Sequence, residues 1–275
     1  MLDFSKLGFT KIKDLKAGSV FLVKNKKGEL FALKQNPAAE RIVKFSKQVH
    51  KQGGALADIV PQFWAKDGWF WLEFLPWPLA GDTVKTHGLS QEALNLINPE
   101  KLARAESQLQ KMTFKEEGME TRSADFYLGN IIETKEALDQ EFGWGFFDKV
   151  LNFLLAQKEI IDKYSLFLAN GDPHPQNIMY KEQNFVLIDW DLLHFNNPAW
   201  DLTDFYLWGW RRSNWGDRLL KEYKKSISMP ISDFETIFGF DLVYLASQLV
   251  KHALLIKAPV EFMEAQKKIL LEKIK

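Results

Sequence analysis

The first part of the chain, up to about residue 76, is patterned as short apolar runs separated by polar turns. Residues 20–23 and 30–34 flank one such turn, and residues 59–64 and 69–76 flank another that contains Asp-Gly. Apolar runs joined in this way are typical of β-hairpins, and Asp-Gly is a strong hairpin signal. The pattern therefore predicts a small antiparallel sheet.

The second part of the chain has helical spacing instead. Apolar residues recur every three to four positions in residues 99–112 and 146–164, and two more helices are predicted over 238–257 and 259–275. Strands that come first and helices that follow indicate a segregated α+β fold, because alternating βαβ units would interleave the two patterns.

A break in regular structure separates the two patterns. Residues 76–82 contain two prolines and a glycine, which interrupt both strands and helices. We therefore expect two units, residues 1–76 and residues 77–275.

Residues 170–177 read Asn-Gly-Asp-Pro-His-Pro-Gln-Asn and form the most informative loop of the sequence. Each proline fixes its own φ and disfavours the α region for the preceding residue, so the loop is predicted to be stiff and non-helical. A stiff loop suits a site that must hold polar groups in place. Asp172 can accept a proton there. His174 is interpreted as a hydrogen-bonding brace, with a nucleophile or metal ligand as the alternative.

A third hairpin follows this loop directly. The apolar runs 178–180 and 185–188 surround a polar turn, so antiparallel pairing would bring Asn177 at its entrance close to Asp189 at its exit. An amide oxygen and a carboxylate are ligands that Mg²⁺ accepts beside substrate phosphates. Asp191 is open to two interpretations, a third ligand or a turn cap.

This stretch resembles the catalytic loop and metal-binding strand of the aminoglycoside phosphotransferase and choline kinase group, which are small-molecule kinases with a protein-kinase-like fold. The loop of that group reads His-Gly-Asp-x-His-x-x-Asn, and an apolar run and Ile-Asp-Trp/Phe-Asp/Glu follow it. The resemblance implies that Asp172 is the catalytic base and that Asn177 and Asp189 hold Mg²⁺. It also implies that His174 stabilises the loop. Asn170 replaces the first histidine, a change expected to alter packing more than chemistry.

The same resemblance implies an ATP site in the first part of the chain. Lys34 closes the run Phe-Ala-Leu-Lys, which is similar to the strand whose lysine pairs with the ATP phosphates. Gly18 and Ser19 can place backbone N–H groups near a phosphate. The backbones of Glu73 and Leu75 would bind the adenine edge.

Glu40 is the candidate carboxylate partner of Lys34, because it is the only acid on the next predicted helix, residues 38–51. The apolar stripe of that helix points elsewhere, so Glu40 is equally explained as a solvated acid in the first turn. As a whole, the resemblance implies a bilobal protein-kinase-like α+β fold. Residues 1–76 would form a small β-rich nucleotide-binding lobe, and residues 77–275 a larger, mainly helical lobe for catalysis and the acceptor.

The acceptor side is predicted from residues just after the metal strand. The resemblance implies that Asp201 buttresses the catalytic loop. Trp200, Asp204, Trp208 and Arg211 would share one face of a helix. Tryptophans beside an aspartate can hold a cationic acceptor by cation-π contact, and core packing is the alternative.

Bulk properties restrict the partners. The chain has 36 basic and 36 acidic residues, so no net field attracts nucleic acid or an anionic membrane. It has no cysteine, which excludes disulfides and thiolate chemistry. No apolar stretch approaches the length of a membrane span, and the first residues lack a signal-like apolar core. We expect a cytoplasmic protein with a small-molecule hydroxyl acceptor.

Three functions are consistent with these features. The leading one is transfer of the γ-phosphoryl group of ATP to a hydroxyl of a small molecule, such as an aminoglycoside or an amino alcohol. The first alternative is a nucleotide-binding pseudokinase that regulates a partner, because the phosphate loop has a single glycine. The second is a metallophosphoesterase, because the loop contains Asp-x-His, but the further histidine clusters of such sites are missing from the sequence.

Overall fold

The computed structural model describes residues 4–274. Its first part is an antiparallel sheet, and the strands are β1 (Phe9–Lys16), β2 (Val20–Asn25), β3 (Leu30–Gln35), β4 (Trp64–Lys66) and β5 (Trp69–Glu73). Their order in the five-stranded sheet is β1-β2-β3-β5-β4. Both predicted hairpins are therefore present, and β1 adds an edge strand that the sequence did not predict.

The two faces of this sheet are covered differently. One face carries a largely aromatic cluster, and its buried members are Phe4, Phe9, Phe21, Val23 and Leu33. Side chains alternate along a strand, so Ala32 and Lys34 belong to the opposite face. On that face the register sets Ala32 opposite Leu22 and Leu72. The alternation thus turns Lys34 away from the aromatic cluster.

A helix packs beside the sheet, against β4 and β5. This helix, α1 (Ala39–Gln52), buries the stripe predicted for it, which consists of Ile42, Phe45, Ser46 and Val49. Gly53 ends it, at φ 69°, and donates its N–H to the Val49 carbonyl. Three residues separate the helix from β3, because Gln35 is the last residue of the strand and Ala39 is the first of the helix.

The predicted strand over residues 59–64 is wrong for all but its last residue. Residues 59–63 are buried at Ile59, Val60 and Phe63 but form no strand. Pro61 cannot donate a ladder hydrogen bond, and the N–H groups of Ile59 and Val60 both donate to Leu56 in a turn. This apolar run therefore serves as a buried connection.

Helices dominate the rest of the chain. They are α2 (Gln91–Leu96), α3 (Pro99–Gln110), α4 (Ala124–Ile131), α5 (Lys135–Phe142), α6 (Phe146–Leu155), α7 (Lys158–Tyr164), α8 (Trp200–Trp208), α9 (Ser213–Tyr223), α10 (Ile231–Ile256) and α11 (Val260–Lys273). Helix α3 starts as predicted, because Pro99 occupies its first turn and the Asn98 side chain accepts a bond from the Lys101 N–H at 2.9 Å.

Two helix predictions need correction. The helix predicted over 146–164 is split into α6 and α7 by a turn at Ala156 and Gln157. Helix α10 begins after Pro230, seven residues earlier than predicted, because the apolar pattern extends back through Phe234 and Ile237. Among the helices described, α10 alone is long and apolar enough to cross a membrane, and 61% of the relevant window is buried inside the protein.

Three small antiparallel pairs complete the second part and carry the polar loops. They are β6 (Gly81–Asp82) with β7 (Gly88–Leu89), β8 (Phe167–Ala169) with β11 (His194–Asn196), and β9 (Ile178–Lys181) with β10 (Asn184–Leu187). The β9–β10 pair is the predicted third hairpin. Its turn is shorter than expected, with Glu182 in the left-handed region at φ 57°.

The connection between the two parts is a short extended segment after β5. The Pro78 carbonyl accepts a bond from the Tyr180 N–H, and the Ala80 N–H donates to the Ile178 carbonyl at 2.7 Å. The chain is therefore already paired with β9 by residue 78. A sheet first and helices afterwards confirm the predicted α+β class, while the boundary at residue 76 stays a prediction.

Candidate active site

The loop 170–177 is anchored at its start by a buried carboxylate. Asp201, in the first turn of α8, is 2% exposed. Its Oδ2 accepts a bond from the Asn170 N–H at 2.6 Å, and its Oδ1 accepts one from the Gly171 N–H at 3.0 Å. Burial raises the pKa of Asp201 to about 6, although these two bonds lower it. The predicted buttressing role of Asp201 is confirmed.

Asn170 supports the loop through its side-chain oxygen. It is buried, and its Oδ1 accepts a bond from the Asp172 N–H at 3.1 Å. Farther along, Asn177 Nδ2 donates to the Asp172 carbonyl at 2.9 Å and to its Oδ2 at 3.1 Å. The Asp172 side chain remains 39% exposed. The loop therefore holds one accessible carboxylate in a fixed direction.

His174 lies between the loop backbone and this carboxylate. Its Nδ1 accepts a bond from the Gln176 N–H at 3.2 Å, and its Nε2 lies 3.4 Å from Asp172 Oδ2. Because Nδ1 is the acceptor, the ring proton is on Nε2 and faces Asp172. This geometry supports the predicted brace and gives His174 a second contact on the side chain of Asp172.

Asn177 and Asp189 are brought together by the β9–β10 hairpin, as predicted. The Ile188 N–H donates to the Asn177 carbonyl at 2.8 Å, just before Asp189. Asp189 itself has a φ of 63°, a left-handed conformation that is uncommon for residues other than glycine. Such local strain is concentrated at functional sites.

The donor set suits Mg²⁺ shared with a phosphate. Asn177 uses its Nδ2 on Asp172, so its oxygen is the atom left for a cation, and Asp189 supplies a carboxylate. Within residues 4–274, no group of three or more His, Cys, Asp or Glu side chains is arranged to hold a metal ion. A site with few protein ligands is what Mg²⁺ requires when phosphates provide the rest.

Lys34 reaches this site from the sheet. Its Nζ lies 2.8 Å from Asp189 Oδ1 and also forms an ion pair with Asp191 Oδ2. Burial lowers the pKa of Lys34, but the two carboxylates outweigh burial and raise it. The structure thus brings together Lys34 and Asp189, which are 155 residues apart in the sequence.

Glu40 is not brought to Lys34, which corrects the expectation of an ion pair between them. Glu40 is exposed in the first turn of α1, and the ion pairs of Lys34 in the described part of the chain are with Asp189 and Asp191. Asp191 also accepts a hydrogen bond from Asn36 Nδ2, and the sequence did not predict Asn36 at the site. Since side chains alternate along a strand, its position two residues after Lys34 is the signal that could have found it.

The other residues expected at the nucleotide lie at the two opposite ends of the strands, because Val20 pairs with Lys34 whereas Glu73 pairs with Phe31. Gly18 has a φ of 68° in the β1–β2 turn, and the Ser19 N–H donates to the Lys16 carbonyl at 3.0 Å. The Ser19 amide is therefore used inside the turn. Glu73 is the last residue of β5, and Leu75 lies just beyond it in the segment that leads to β9. These residues stay predictions as nucleotide contacts.

The aromatic side of α8 differs from the prediction. The helix ends at Trp208, so Arg211 lies beyond it and does not share its face. Trp200 packs in the core, with its ring centroid 5.0 Å from that of Tyr127. Trp208 is buried and stacks on Phe262 of α11 with centroids 6.4 Å apart. The tryptophans therefore act mainly as packing.

Asp204 is the polar exception on this helix. Its side chain is half-buried, and a hydrogen bond from the Trp208 side chain lowers its pKa. Burial and the nearby Asp172 raise the pKa of Asp204 to about 7, while His174 lowers it. A carboxyl group whose pKa is close to neutral pH thus lies beside the catalytic loop.

The segment around the catalytic loop is similar to a known protein family. Residues 101–233 match the model of the phosphotransferase enzyme family, and this range contains Asp172, Asn177 and Asp189. No curated protein matches the sequence.

Solved structures of kinases match almost the whole chain. An aminoglycoside phosphotransferase from Alicyclobacillus acidocaldarius is 15% identical, with a TM-score of 0.60, 99% of this chain covered and 93% of that one. The choline kinase LicA from Streptococcus pneumoniae is 13% identical, with a TM-score of 0.56 and coverages of 98% and 95%. A macrolide 2'-phosphotransferase type I is 18% identical, with a TM-score of 0.54 and coverages of 97% and 94%. At these identities the likeness establishes the fold.

The fold is therefore that of the protein-kinase-like small-molecule phosphotransferases, with a sheet-based first part and a helical second part. The segment that carries the catalytic loop matches the model of the phosphotransferase enzyme family. These findings confirm the resemblance predicted from the loop, the fold class and the assignment to phosphotransferase enzymes.

Proposed function

We propose that this protein transfers the γ-phosphoryl group of ATP to a hydroxyl group of a small molecule, such as an aminoglycoside or an amino alcohol. The observation that carries the proposal is that Lys34, from a distant part of the sequence, meets the segment that holds Asp172, Asn177 and Asp189. Lys34 meets Asp189 at 2.8 Å, and Asn177 meets Asp172 at 3.1 Å. A lysine, two metal-ligand candidates and a base are the parts that phosphoryl transfer needs.

ATP as the donor is supported by the relatives. A solved structure described as LicA in complex with AMP matches 98% of this chain at 14% identity, with a TM-score of 0.57. In the proposal, Gly18, Ser19, Glu73 and Leu75 approach the nucleotide with their backbones. Residues 1–76 then form the nucleotide-binding lobe, residues 77–275 form the lobe for catalysis and the acceptor, and the protein acts in the cytoplasm.

Each side chain has a defined part in the transfer. Asp172 accepts the proton of the acceptor hydroxyl while that oxygen bonds to the γ-phosphorus and the bond to the β–γ bridging oxygen breaks. Asn177 Nδ2 holds the carboxylate of Asp172 in place, and Lys34 faces the phosphates. Asn177 and Asp189 would hold Mg²⁺, which when bound offsets phosphate charge.

The test is an ATP-consumption screen with Mg²⁺ over aminoglycosides, amino alcohols and sugars. We expect acceptor-dependent turnover that Asp189→Ala abolishes and Asp172→Asn reduces by about a thousandfold or more, because a general base contributes roughly that much. A matched control is Asp217→Asn, an exposed carboxylate on α9, which should retain wild-type activity.

Two outcomes would replace this proposal. Nucleotide binding without transfer across the panel would favour a pseudokinase, a function that the use of the Ser19 amide inside its turn also fits. Metal-dependent ester hydrolysis without ATP would favour a metallophosphoesterase. The metallophosphoesterase is the less favoured of the two, since the described residues form no cluster of three metal-binding side chains.

A further inference from the structure

We propose that Asp191 is a positioning residue that aligns Lys34, in the role that a glutamate on the neighbouring helix has in protein kinases, and that Asn36 fixes Asp191 for this role. The inference rests on the proposed function, because it concerns the lysine that would face the ATP phosphates. In protein kinases, an ion pair between this lysine and a helix glutamate must be in place for activity.

Lys34 contacts two carboxylates, those of Asp189 and Asp191, and these differ in their exposure to solvent. The Asp191 side chain is 15% exposed, whereas that of Asp189 is 33% exposed. Asp189 ends the hairpin beside Asn177 and is the one available to a cation. If Asp189 binds Mg²⁺, Asp191 is the carboxylate that remains to neutralise Lys34. Glu40 cannot do so from its exposed position.

Asp191 is held too tightly to be a ready metal ligand. Its Oδ2 already accepts bonds from both Lys34 Nζ and Asn36 Nδ2. Its Oδ1 is buried away from solvent and has no partner within residues 4–274. The geometry thus favours a structural use of this carboxylate.

Asn36 has a fixed orientation that suits this use. Its Oδ1 accepts a bond from the Ala38 N–H at 2.7 Å, just before α1 begins. Its Nδ2 must therefore face Asp191, because turning the amide would lose both bonds. Lys34 and Asn36 are two residues apart at the end of β3, so they present two donors to one carboxylate oxygen.

The contact also joins the two parts of the molecule. Lys34 and Asn36 come from the sheet and its end, whereas Asp191 follows the β9–β10 hairpin. Arg41 of α1 adds a long contact, with its Nη2 3.5 Å from the Asp191 carbonyl. The orientation of Lys34 is therefore set by the hairpin that carries Asp189, and α1 needs no acidic residue for it.

The experiment is a mutant cycle on Asp191→Asn, Asn36→Ala and Lys34→Met, with Glu40→Gln as the competing partner and Asp217→Asn as an exposed-carboxylate control. We expect Asp191→Asn to lower kcat/KM for ATP by about tenfold to a hundredfold, as for a lost hydrogen bond between charged groups. Asn36→Ala should lower it by a smaller factor, and Glu40→Gln should leave it unchanged.

The decisive readout is additivity. In the Lys34→Met background, Asp191→Asn should cause no further loss of kcat and no further change in the Mg²⁺ dependence, because the group that it aligns is already gone. If the two losses add and Asn36→Ala is neutral, Asp191 is a metal ligand and the inference is wrong. It is also wrong if Glu40→Gln gives the larger loss.

A second readout does not depend on transfer. The same cycle is measured by thermal unfolding, where the Lys34 and Asp191 changes should be non-additive in their effect on Tm. If the wild type transfers no phosphate to any acceptor, the proposed function fails, and the unfolding cycle still decides whether the pair exists. If the wild type is active and Asp191→Asn is equally active, only this inference fails.

Discussion

His194 lies beneath the catalytic loop and is buried as a neutral ring. Its Nδ1 donates to the Leu192 carbonyl at 2.6 Å, and its Nε2 lies 3.0 Å from Asn196 Nδ2. Asn196 cannot turn its amide, because its Oδ1 accepts bonds from the Tyr127 hydroxyl and from the Asn197 N–H. Nε2 must therefore be an acceptor, so a second proton on His194 would face a donor.

The sign of the resulting pH dependence follows from the pKa of His194. Burial lowers it from 6.5 to about 4, and the positive charge of Arg122 acts in the same direction. Between these two values the unfolded chain binds a proton that the folded chain refuses, so stability is full above pH 6.5 and is lost as the pH falls towards 4. At about 1.36 kcal/mol per pKa unit, the loss amounts to about 3 kcal/mol.

The assay compares the wild type with His194→Gln by urea unfolding at a series of pH values. A direct comparison is needed because the raised pKa values of Asp201 and Asp204, about 6 and about 7, stabilise the fold as the pH falls through the same window. We expect the variant to be the less stable protein above pH 6.5, and the difference to shift in its favour by about 3 kcal/mol by pH 4. A difference that stays constant with pH would refute a buried neutral His194.

Three further outcomes are expected. Asp201→Asn should cost about 1–3 kcal/mol of unfolding free energy and lower kcat, because an amide can accept only one of the two loop N–H bonds; urea unfolding and single-turnover kinetics measure this. Gly171→Ala should lower Tm, because φ is +87° and the new Cβ would lie 2.4 Å from His194 Cε1, whereas Gly129→Ala in α4 meets nothing within 4 Å and should be neutral or stabilising. Asp204→Asn should gain stability over the wild type as the pH rises through about 7, by on the order of 1–2 kcal/mol after solvent screening, because the half-buried carboxyl group of the wild type loses its proton in the folded state there; unfolding at about pH 5 and 8 checks this.

The site residues found from the sequence share a local cause. Asp172 and Asn177 are held by a loop whose prolines fix its course, and Asp189 is placed by hairpin pairing across a two-residue turn. Lys34 was predicted from the resemblance of its strand to the lysine strand of kinases, and the register places it in β3 opposite Val20. In each case the position follows from neighbours within about twenty residues in the sequence or from the period of a strand.

The residues that the sequence did not predict depend on long-range geometry. Whether Glu40 can reach Lys34 is decided by how α1 packs against the sheet, and its exposed direction leaves the pairing to Asp191. Asn36 became part of the site only because Asp191 lies opposite it, 155 residues away. Arg211 was misplaced because α8 stops at Trp208, where the apolar periodicity alone gives no end.

The anchoring of the catalytic loop depends on which of two buried acids is ionised. Asp201 and Glu106 of α3 are both buried, at 2% and 0% exposure. Asp201 has two backbone donors and keeps its charge near neutral pH, whereas Glu106 has no hydrogen-bond partner within the described residues. Burial first, and then the charge of Asp201, raises the pKa of Glu106 well above its usual value.

Glu106 is therefore the acid that retains its proton, and this allows Asp201 to remain a carboxylate. If Glu106 were ionised instead, two like charges would lie buried near each other, and the pKa of Asp201 would rise beyond about 6. A protonated Asp201 accepts its loop bonds less strongly, so the direction of Asp172 would be less well defined. The core of the second part thus controls the catalytic loop through the ionisation of a residue that does not touch it.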